Sequence, residues 1–573
     1  MNKIKWIIAK KDEELMNNIA HQFFLDPVIA QLLINRGLKD TKDIDAFLNP
    51  RLDYLVNPLD LQGMAKTIER LKLAINKQEK ILIYGDYDVD GITSTSLLFL
   101  VLSTFSSNVY YYIPDRSEEG YGISQKGIKF ALQYHIALII TVDCGITSHK
   151  EIKQLNNLGI DTIISDHHEP QENLPKAHSI INPKSCDYIY KDLAGVGVVF
   201  KIVLALYKVL KKDPKPLYEH LDLVALGTIA DSVPILGENR ILVKYGIEKL
   251  INSRKKGLKK LIENCKYDCS FDNLTVRDIS FNLIPVLNST GRIDNPKHAV
   301  DLLLTDSSYR ADYLVDKMLK LNQVRKEITQ KVLNEARKMA SESKLMRRNK
   351  ILVLSSNEWH PGIIGIVASR LMEEYSRPAM IISVSNGVGK GSGRNQGEFD
   401  FSKVLSSCSD LLVKYGGHQY AAGITILKEK IDVFRERINE ILSDNQQISL
   451  HDEPIVEIDA LISLDKMNWD FLNYIEKFRP FGPGNPQPVF CGYKFPLASL
   501  KKVGKDEKHL KLSLGERRKY FDGIAFQMAD KYIDIINDNA INIIFQLGIN
   551  SWNGKNAIQL IIKDIKSTVR RIE

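Results

Sequence analysis

The sequence is poor in cysteine and in long apolar runs. Only Cys265 and Cys269 lie close together, without a second pair or a neighbouring histidine to complete a zinc site. No apolar run reaches the ~18 to 20 residues that span a bilayer, and the start MNKIKWIIAKKDEELM lacks the apolar region and cleavage site of a signal peptide. We therefore expect a cytoplasmic protein without a membrane segment. Its six cysteines should be reduced and serve mostly in packing: Cys144, Cys186, Cys265, Cys269, Cys408 and Cys491.

Internal repeats and low-complexity segments are also lacking. With 44% hydrophobic and 26% charged residues the composition is that of a folded globular protein. A single hydrophobic core rarely exceeds ~250 to 300 residues, so a chain of 573 residues should form several domains. The net charge of +8 permits a polyanionic partner, because Lys and Arg release counterions when they neutralise phosphates. A genome of low GC content would raise the lysine count without any functional reason, so charge alone does not identify the partner.

Short apolar runs alternate with amphipathic stretches from about residue 80 to residue 231. Between the runs, residues 124–135 and 147–158 have helical spacing and open on a Ser or Thr suited to an N-cap. The alternation is typical of a parallel sheet flanked by helices. It predicts a doubly wound α/β domain with strands near residues 81–84, 109–113, 137–142 and 162–165.

A long helix and two further domains are predicted after it. Residues 307–350 contain no Gly or Pro and carry apolar residues at helical steps, which indicates a connecting helix. A second α/β segment begins with ILVLSS at Ile351, and after Asp452 several short β runs end in a hairpin at Asn553–Gly554, as in a small barrel of OB type. The predicted segments are an N-terminal helical extension (1–79), the first α/β domain (80–306), the connecting helix (307–350), the second α/β domain (351–451) and the OB-type barrel (452–573).

Acidic residues and histidines follow four apolar runs of the first domain. Because ligands of open α/β sheets bind beyond the carboxyl ends of the strands, we expect these segments to meet in one crevice. Carboxylates gathered there repel one another unless cations neutralise them, and Asp oxygens with His nitrogens suit Mn²⁺ or Mg²⁺. Two such ions could support phosphoester hydrolysis, as in phosphatases and nucleases. The clusters are Asp86, Asp88 and Asp90 in YGDYDVDG, Asp143 in TVDCG, Asp166, His167 and His168 in ISDHHEP, and Asp231 in LGTIADSVP.

Taken singly, each cluster has a purely structural explanation. An Asp–Gly turn after a strand is a common helix entry, and Asp231 could cap a turn. Their coincidence at four predicted strand ends favours the metal site.

These motifs resemble a known family. GDYDVDG, VDCG, the DHH triplet and LGTIADSVP are similar to the successive motifs of the DHH phosphoesterases, and GSGRNQ with YGGHQYAAG resembles their associated DHHA1 domain. With NSTGRIDNP, PFGPGNPQPVF and the β-rich tail, the pattern resembles the RecJ-type exonucleases over essentially the whole chain.

The resemblance implies roles for particular residues. His168 would face the scissile phosphate, as electrostatic stabiliser or proton donor, with Asp166 of the same triplet as the second predicted catalytic residue. The pyrophosphatase branch of the superfamily has a ligating His where this chain has Tyr84, so Asp86 could take its place in the metal shell. Metal ligation is implied for Asp86, Asp88, Asp90, Asp143, His167 and Asp231, and phosphate or nucleic-acid binding for Arg116, Arg292, Ser392, Arg394, Gly416, Gly417 and His418.

The resemblance also implies the activity. It is 5′-to-3′ digestion of single-stranded DNA to 5′-mononucleotides with Mn²⁺ or Mg²⁺, in recombination and repair, by a monomer. A single-strand-binding protein and a helicase are the implied protein partners. The barrel would guide the strand through a basic groove with stacking aromatic residues. Candidates are Lys501, Lys502, Lys505, Lys508, Arg517, Arg518 and Lys519 for charge, and Tyr520, Phe521 and Trp552 for stacking, although a small barrel also needs aromatics in its core.

Two alternatives stay open. A related phosphodiesterase could act on short oligonucleotides, cyclic dinucleotides or pyrophosphate, but such enzymes generally lack a C-terminal barrel. A non-catalytic, Cdc45-like single-strand binder would have lost metal ligands, whereas Asp88, Asp90, Asp143, His167 and Asp231 are all present.

Overall fold

The computed structural model describes residues 4–116, 118–265, 274–342, 349–444, 455–516, 519–552 and 555–568. The chain folds into two compact units, one formed by residues 1–55, 234–244 and 453–573 and the other by residues 56–233 and 245–452. Among the described residues, no helix has both the length and the apolar character that a membrane span requires. The five segment boundaries predicted from the sequence stay predictions.

The larger unit begins with a five-stranded sheet in which all strands are parallel. The four strands predicted from the sequence are confirmed within one or two residues. A fifth strand of three residues was too short to stand out in the sequence. In spatial order β3-β2-β4-β5-β6, the strands are β2 (Ile81–Gly85), β3 (Val109–Tyr112), β4 (Leu138–Val142), β5 (Asp161–Ser165) and β6 (Ser179–Ile181).

Helices surround this sheet, and many are apolar on all sides because they are buried between neighbours. Ser124 caps one of the predicted helices by accepting a hydrogen bond from the amide of Gly127. The second predicted helix begins at His149, with Ser148 instead of the expected Thr147 at the N-cap position. The helices are α4 (Met64–Asn76), α5 (Val89–Leu102), α6 (Gln125–Gln133), α7 (His149–Asn157), α8 (Gly195–Val209), α9 (Lys215–Tyr218) and α10 (Leu221–Ala230).

The predicted connecting helix is confirmed as α16, 35 residues long. It packs its apolar face, including Leu314, Met318, Val332 and Ala336, into the interior. The helices of this region are α11 (Gly237–Ile251), whose first residues belong to the other unit, and α12 (Lys256–Asn264), α13 (Val276–Asp278), α14 (Ile284–Ile293), α15 (Lys297–Leu304) and α16 (Ser308–Glu342).

The predicted second α/β domain is confirmed as a mixed sheet with helices. Only β7 and β8 are parallel, and the remaining pairs are antiparallel hairpins. The GKGSGR motif lies on β9, between β8 and β11. In spatial order β10-β11-β9-β8-β7, the strands are β7 (Leu352–Ser356), β8 (Ala379–Ser385), β9 (Val388–Arg394), β10 (Leu412–Gly417) and β11 (Ala421–Leu427), with α17 (Ile364–Tyr375), α18 (Phe401–Ser406) and α19 (Ile431–Asp444).

The smaller unit contains the predicted barrel. Five strands close on themselves because β14 pairs with both β15 and β17. The predicted hairpin joins β17 to β18 through Trp552 and Lys555, and Asn553 and Gly554 lie outside the described residues. The strands are β12 (Ile455–Ile458), β13 (Ala460–Leu461), β14 (Phe490–Val503), β15 (His509–Glu516), β16 (Lys519–Ala525), β17 (Ala540–Trp552) and β18 (Lys555–Ser567), with α20 (Trp469–Glu476) and α21 (Tyr532–Ile535).

The first 55 residues are part of the barrel unit. Strand β1 (Lys5–Ile8) pairs with β12, and the Trp6 indole donates a 2.8 Å hydrogen bond to the buried carboxylate of Asp564. Helices α1 (Glu13–Phe23), α2 (Pro27–Asn35) and α3 (Thr41–Leu48) share one hydrophobic core with the barrel strands. The N-terminal helices thus enlarge the barrel's core.

Candidate metal centre and phosphate pocket

Three acidic residues follow three adjacent strands of the parallel sheet. Asp86 follows β2, Asp143 follows β4 and Asp166 follows β5. These strands are neighbours, and their last residues Gly85, Val142 and Ser165 are paired in register. Parallel strands all present their carboxyl ends to one edge of the sheet, so the three carboxylates are brought to that edge.

Asp88 and Asp90 belong to the start of α5, which leaves the same edge. The Asp88 carboxylate caps the helix by accepting a 3.1 Å hydrogen bond from the amide of Gly91. The Asp90 carboxylate accepts hydrogen bonds from the amides of Gly195 and Val196 at the start of α8, at 2.6 and 2.9 Å. Burial, followed by the charge of Asp88, raises the pKa of Asp90 to about 7.

Asp231 does not follow a strand, and that expectation was wrong. It lies at the carboxyl end of α10. The run before it, LGTIA, is apolar because this helix is buried on all sides, and a short apolar run of this kind cannot be distinguished from a buried strand by its periodicity. The side chain of Asp231 nevertheless reaches the same cluster, with a carboxylate oxygen 3.6 Å from Nδ1 of His167.

His167 is the centre of this cluster. Its Nε2 lies 3.1 Å from Oδ1 of Asp143 and 3.9 Å from Oδ2 of Asp90. Burial, together with the neighbouring charge of His168, lowers the pKa of His167 to about 3. The ring is therefore neutral at physiological pH, which leaves a lone pair available for a metal ion.

Three trios of potential ligand atoms lie close together, and two of them share no residue. Asp90, His167 and Asp231 bring three atoms within 4.8 Å of one another, and so do Asp86, Asp88 and Asp143. The third trio, formed by Asp143, His167 and His168, links these two, since Oδ1 of Asp143 lies 3.1 Å from Nε2 of His167. This arrangement provides one place for each of two cations.

Three buried atoms of these trios have no hydrogen-bond partner: Asp86 Oδ1, Asp143 Oδ1 and His167 Nε2. Burial and the charges of neighbouring aspartates raise the pKa values of Asp86 and Asp143 well above their ordinary range. Unsatisfied buried oxygen and nitrogen acceptors among like charges are the donor set that a hard divalent cation such as Mn²⁺ or Mg²⁺ requires. The residues present therefore fit the metal that the sequence implies.

Asp166 has a different environment from the other acids. Its Oδ1 accepts hydrogen bonds from the amides of His167 and His168 and from Nδ1 of His168, and its Oδ2 accepts one from the amide of Ile146. Burial alone would raise the pKa of Asp166, but the hydrogen bond and charge of His168 lower it below its ordinary value. Asp166 therefore shapes the loop and holds the His168 ring, and none of the metal-ligand trios includes it.

The side chain of His168 is 43% exposed, more than those of His167 and Asp231. Burial alone would lower its pKa, but the hydrogen bond to Asp166 and the charges of Asp166, Asp231 and Asp86 together outweigh burial and raise the pKa of His168 to about 9. The ring is thus cationic at neutral pH, as a residue that faces a phosphate should be.

Tyr84 cannot replace the histidine ligand found in the pyrophosphatase branch. Its side chain is completely buried, its hydroxyl donates to the carbonyl of Gly122, and it accepts a 3.0 Å hydrogen bond from the amide of Ser124. The hydroxyl is therefore engaged by the loop before α6. The nearby Asp86, with its unsatisfied oxygen, is the available ligand.

Arginines from three segments form a positive pocket. Arg292 donates a 2.8 Å hydrogen bond to the carbonyl of Gly362, and Arg394 donates to the hydroxyl of Ser392 at 3.0 Å. Burial, followed by the charge of Arg116, lowers the pKa of Arg292 to about 9 and also lowers that of Arg394. Positively charged guanidinium groups that lie close together repel one another, and a bound anion relieves this repulsion. The arginines therefore form a suitable binding site for an anion.

A helix also begins at this pocket. A Cβ placed on Gly365, at the start of α17, would lie 3.1 Å from both the Ser392 hydroxyl and the Arg394 guanidinium. The absence of a side chain there brings the amino end of the 12-residue helix close to these donors. Helix amino ends favour anions, so the helix reinforces the arginines.

Gly416, Gly417 and His418 lie where β10 turns into β11, and all are exposed. Gly417 has φ +152°, and a Cβ there would lie 2.4 Å from the carbonyl of Ala421, so this position requires glycine for the turn. A Cβ on Gly416 would meet nothing within 4 Å. Partial burial, followed by the charge of Arg394, lowers the pKa of His418.

The barrel candidates differ in position. Tyr520 is exposed, whereas Phe521 is 7% exposed and belongs to the barrel core, so packing is the one of its two predicted roles that the structure shows. Side chains of a strand alternate between the two faces, which explains the difference between these neighbours. Arg517, Arg518 and the side chain of Trp552 lie outside the described residues.

Sequence reasoning missed Tyr121. Its hydroxyl lies 3.1 Å from Nδ1 of His168 and 3.4 Å from the carbonyl oxygen of Asp143. The only signal was its place between two glycines in EEGYG, which resembles an ordinary turn.

Comparisons with known proteins agree with this architecture. Family models match residues 80–228 (DHH family, N-terminal domain), 348–444 (DHHA1 domain) and 458–564 (RecJ OB domain). The chain is 36% identical to the single-stranded-DNA-specific exonuclease RecJ of Bacillus subtilis over 98% of its own length and 71% of the relative. It is 34% identical to the Escherichia coli protein of the same name over 94% of its own length and 96% of the relative.

Solved structures are similar as well. The crystal structure of RecJ from Thermus thermophilus in complex with Mn²⁺ superposes with a TM-score of 0.84 at 28% identity, covering 99% of this chain and 80% of that one. An exonuclease RecJ bound to manganese, at 33% identity, covers 69% of this chain and 100% of that one with a TM-score of 0.60. Domain order, full-length identity and fold together show that the chain belongs to the RecJ family of single-stranded-DNA-specific exonucleases.

Proposed function

We propose that this chain is a metal-dependent exonuclease that hydrolyses single-stranded DNA from the 5′ end and releases 5′-mononucleotides. The observation that carries the proposal is the pair of ligand trios, Asp86–Asp88–Asp143 and Asp90–His167–Asp231, at one edge of the parallel sheet. Two cation positions side by side match the needs of phosphodiester hydrolysis. The family to which the chain belongs supports DNA as the substrate.

Each group of residues has a proposed task. The two trios would hold two Mn²⁺ or Mg²⁺ ions, which activate a water nucleophile and neutralise charge on the phosphate. His168 faces the scissile phosphate as a cationic donor, and Asp166 is a positioning residue that holds it. Most of the rate increase in such catalysis comes from stabilisation of the charge that develops in the transition state.

The arginine pocket is proposed to recognise the 5′ end. Arg116, Arg292 and Arg394, with Ser392 and the amino end of α17, would bind the terminal phosphate. An end group fixed there sets which linkage reaches the metal centre, so one nucleotide is released per cycle. Gly416, Gly417 and His418, on the turn beside this pocket, are proposed to contact the sugar-phosphate backbone.

A preference for single strands would come from a passage between the parallel sheet and the second α/β domain that is too narrow for duplex. A 5′ overhang should then be digested and a blunt duplex should not. Equal rates on both substrates would remove this part of the proposal.

The test is nucleotide release from a 5′-phosphorylated, 3′-labelled single strand with Mn²⁺ or Mg²⁺. The wild type should shorten the strand stepwise from the 5′ end, and Asp143→Asn should not. Asp312→Asn is a matched control, because Asp312 is an exposed carboxylate on α16 that pairs with Lys260. It should retain full activity.

Other outcomes point to the two alternatives. If a folded, Mn²⁺-binding protein leaves DNA intact but cleaves dinucleotides or cyclic dinucleotides, it is a small-substrate phosphodiesterase. If it binds neither Mn²⁺ nor Mg²⁺ and still binds single strands, it is a scaffold.

We also propose a cellular setting. DNA digestion from a 5′ end serves recombination and repair, and an enzyme that needs a free single strand depends on a helicase to expose it and on a single-strand-binding protein to keep it open. We propose that the chain works in the cytoplasm as a monomer with such partners. Size-exclusion chromatography with light scattering checks the oligomeric state.

A further inference from the structure

We infer that Tyr121 is a positioning residue that fixes the ring of His168 for proton donation to the leaving group. The inference rests on the proposed exonuclease function. Tyr121 touches two parts of the site, since its hydroxyl lies 3.1 Å from Nδ1 of His168 and 3.4 Å from the carbonyl oxygen of Asp143. Its ring also meets that of His168 edge-on, with centroids 5.4 Å apart.

The hydrogen-bond directions follow from the acceptors. The ionised carboxylate of Asp166 has no hydrogen to donate and only accepts, as it does from the amides of His167 and His168, so Nδ1 of His168 carries the hydrogen of their 2.8 Å bond. Tyr121 therefore cannot donate to Nδ1. Its hydrogen points to the carbonyl of Asp143, and its oxygen accepts a share of the Nδ1 hydrogen. The ring is held from two sides at Nδ1, which leaves Nε2 free for the substrate.

The backbone around Tyr121 is shaped to place this hydroxyl. Gly120 and Gly122 on either side adopt left-handed φ values of +79° and +90°, which glycine adopts without strain. The loop is anchored at both ends. Glu119 accepts hydrogen bonds from the amide of Asp115 and the hydroxyl of Tyr112, at 2.8 Å each.

The second anchor is Tyr84. Its hydroxyl binds the carbonyl of Gly122 and the amide of Ser124, directly after Tyr121. Tyr84 occupies the position of a metal ligand in the pyrophosphatase branch. In this chain it supports the loop that carries Tyr121. Asp143, which receives the Tyr121 hydrogen, has a φ of +62°, a conformation that non-glycine residues rarely adopt. The Tyr121 hydroxyl satisfies the carbonyl that this conformation turns toward the loop.

The proposed step is hydrolysis of one phosphodiester bond, in which the attacking water loses a proton to the solvent. A water oxygen forms a bond to phosphorus, and the bond between phosphorus and the 3′ oxygen of the first nucleotide breaks. The 3′ oxygen leaves as an alkoxide unless it receives a proton, and Nε2 of His168 supplies that proton. Tyr121 affects only the direction in which Nε2 of His168 points. Removing its hydroxyl should therefore lower the rate most for a leaving group that needs protonation.

Tyr121→Phe tests the inference because it keeps the ring and removes the hydroxyl. With a 5′-phosphorylated single strand in Mn²⁺ we expect kcat to fall about tenfold and KM to stay unchanged. The loss is smaller than the ~10²- to 10⁴-fold rate increase that general acid catalysis contributes, because the proton donor itself is kept. Tyr121→Leu, which also removes the ring, should lower kcat at least as much. Tyr134→Phe is the matched control, since Tyr134 is an exposed tyrosine of the same domain that stacks on Phe130.

A second substrate separates positioning from a general structural effect. In a strand whose first linkage has sulfur in place of the bridging 3′ oxygen, the leaving thiolate needs no proton, and Mn²⁺ tolerates sulfur better than Mg²⁺ does. Wild type and Tyr121→Phe should cleave this linkage at nearly equal rates. Calorimetric Mn²⁺ binding and the melting temperature should also be unchanged by the substitution.

Each contrary result has a distinct meaning. Full kcat on the oxygen linkage, an equal loss on both linkages, or a rise in KM alone would each overturn the inference. Weaker Mn²⁺ binding by Tyr121→Phe would overturn it too, because the hydroxyl would then act through Asp143. Failure of the wild type to digest any single strand would instead remove the proposed function.

Discussion

The guanidinium of Arg240 lies over the ring of Phe47, with Cζ 3.9 Å from the ring centroid, and its Nε donates a 2.9 Å hydrogen bond to the carbonyl of the same residue. Its other nitrogens donate to the carbonyls of Phe478 and Lys477, both at 2.7 Å. Arg240 is 1% exposed. It therefore joins its own segment to two distant segments of the barrel unit through their backbone carbonyls.

Arg240→Met should destabilise the barrel unit by about 3 to 5 kcal/mol, because it removes three hydrogen bonds to backbone carbonyls, of which only that of Phe478 keeps a second donor, Asn485. Hydrogen-exchange mass spectrometry should show faster exchange in α3 and α20, whose ends Arg240 contacts, with unchanged exchange in the parallel sheet. Arg51→Met is the control, since Arg51 is exposed in the same unit. Similar protection in both variants would contradict the role assigned to Arg240.

His220 should make stability depend on pH. Burial, followed by the charge of Lys255, lowers the pKa of His220 to about 4 from its ordinary 6.5, beside Asp222 and Glu219. Above pH 6.5 both folded and unfolded states are neutral at this site. As the pH falls from 6.5 toward 4 only the unfolded state takes up the proton, so the wild type loses stability in this window.

The variant His220→Asn isolates that effect, since Nδ1 of His220 is buried without a hydrogen-bond partner and its removal costs no such bond. Between pH 7.5 and pH 5, the wild type should lose about 2 kcal/mol of unfolding free energy relative to the variant. Urea unfolding of both proteins at the two pH values measures this. Parallel losses would show that His220 titrates alike in both states.

Much of the larger unit could be predicted from the sequence, because its strands are short apolar runs and Asp86, Asp143 and Asp166 directly follow them. Asp231 was placed in the right crevice on the wrong element, since a fully buried helix and a buried strand have the same apolar pattern. Tyr121 could not be found, because its role depends on a hydroxyl direction that only the folded loop sets.

The barrel was harder to read for other reasons. Strand β14 runs through Pro496, a residue that argues against a strand, and the pairing shifts register between Gly492 and Phe495 just before it. The partnership of β1 with β12 joins residues about 450 positions apart in sequence, and no local pattern predicts such a pairing. Contacts between residues far apart in the sequence could therefore not be predicted.

Asp143→Asn should have opposite effects on stability with and without metal. Without metal it removes one charge from crowded, buried carboxylates, and asparagine tolerates the φ of +62° at this position. The metal-free variant should therefore be about 1 to 2 kcal/mol more stable than the wild type. With saturating Mn²⁺ the order should reverse, because only the wild type gains the full binding free energy. Thermal unfolding in chelator and in Mn²⁺ gives both comparisons, and a variant less stable in chelator would contradict the electrostatic argument.

Arg116→Gln should weaken recognition of a 5′ phosphate. A charge-assisted hydrogen bond contributes ~1.5 to 3 kcal/mol, so KM for a 5′-phosphorylated strand should rise about 10- to 100-fold. KM for the same strand with a 5′ hydroxyl should change little. Arg437→Gln is the control, because Arg437 is exposed in the second α/β domain and pairs with Asp410. An equal rise for both 5′ ends would show that Arg116 binds the strand elsewhere.

Tyr520 and Phe521 are neighbours on β16 with opposite expected effects. Tyr520 is 55% exposed and Phe521 is 7% exposed. Tyr520→Ala should lower the affinity for single-stranded DNA by ~1 to 3 kcal/mol, the contribution of one stacked base, without changing the melting temperature. Phe521→Ala should cost about 3 to 5 kcal/mol of stability by opening a cavity in the barrel core. Fluorescence anisotropy with a labelled single strand and thermal unfolding, applied to both variants, separate the two roles. If Tyr520→Ala binds DNA as the wild type does, the strand passes another face of the barrel, and the exposed lysines Lys501, Lys502, Lys505 and Lys508 become the next positions to test.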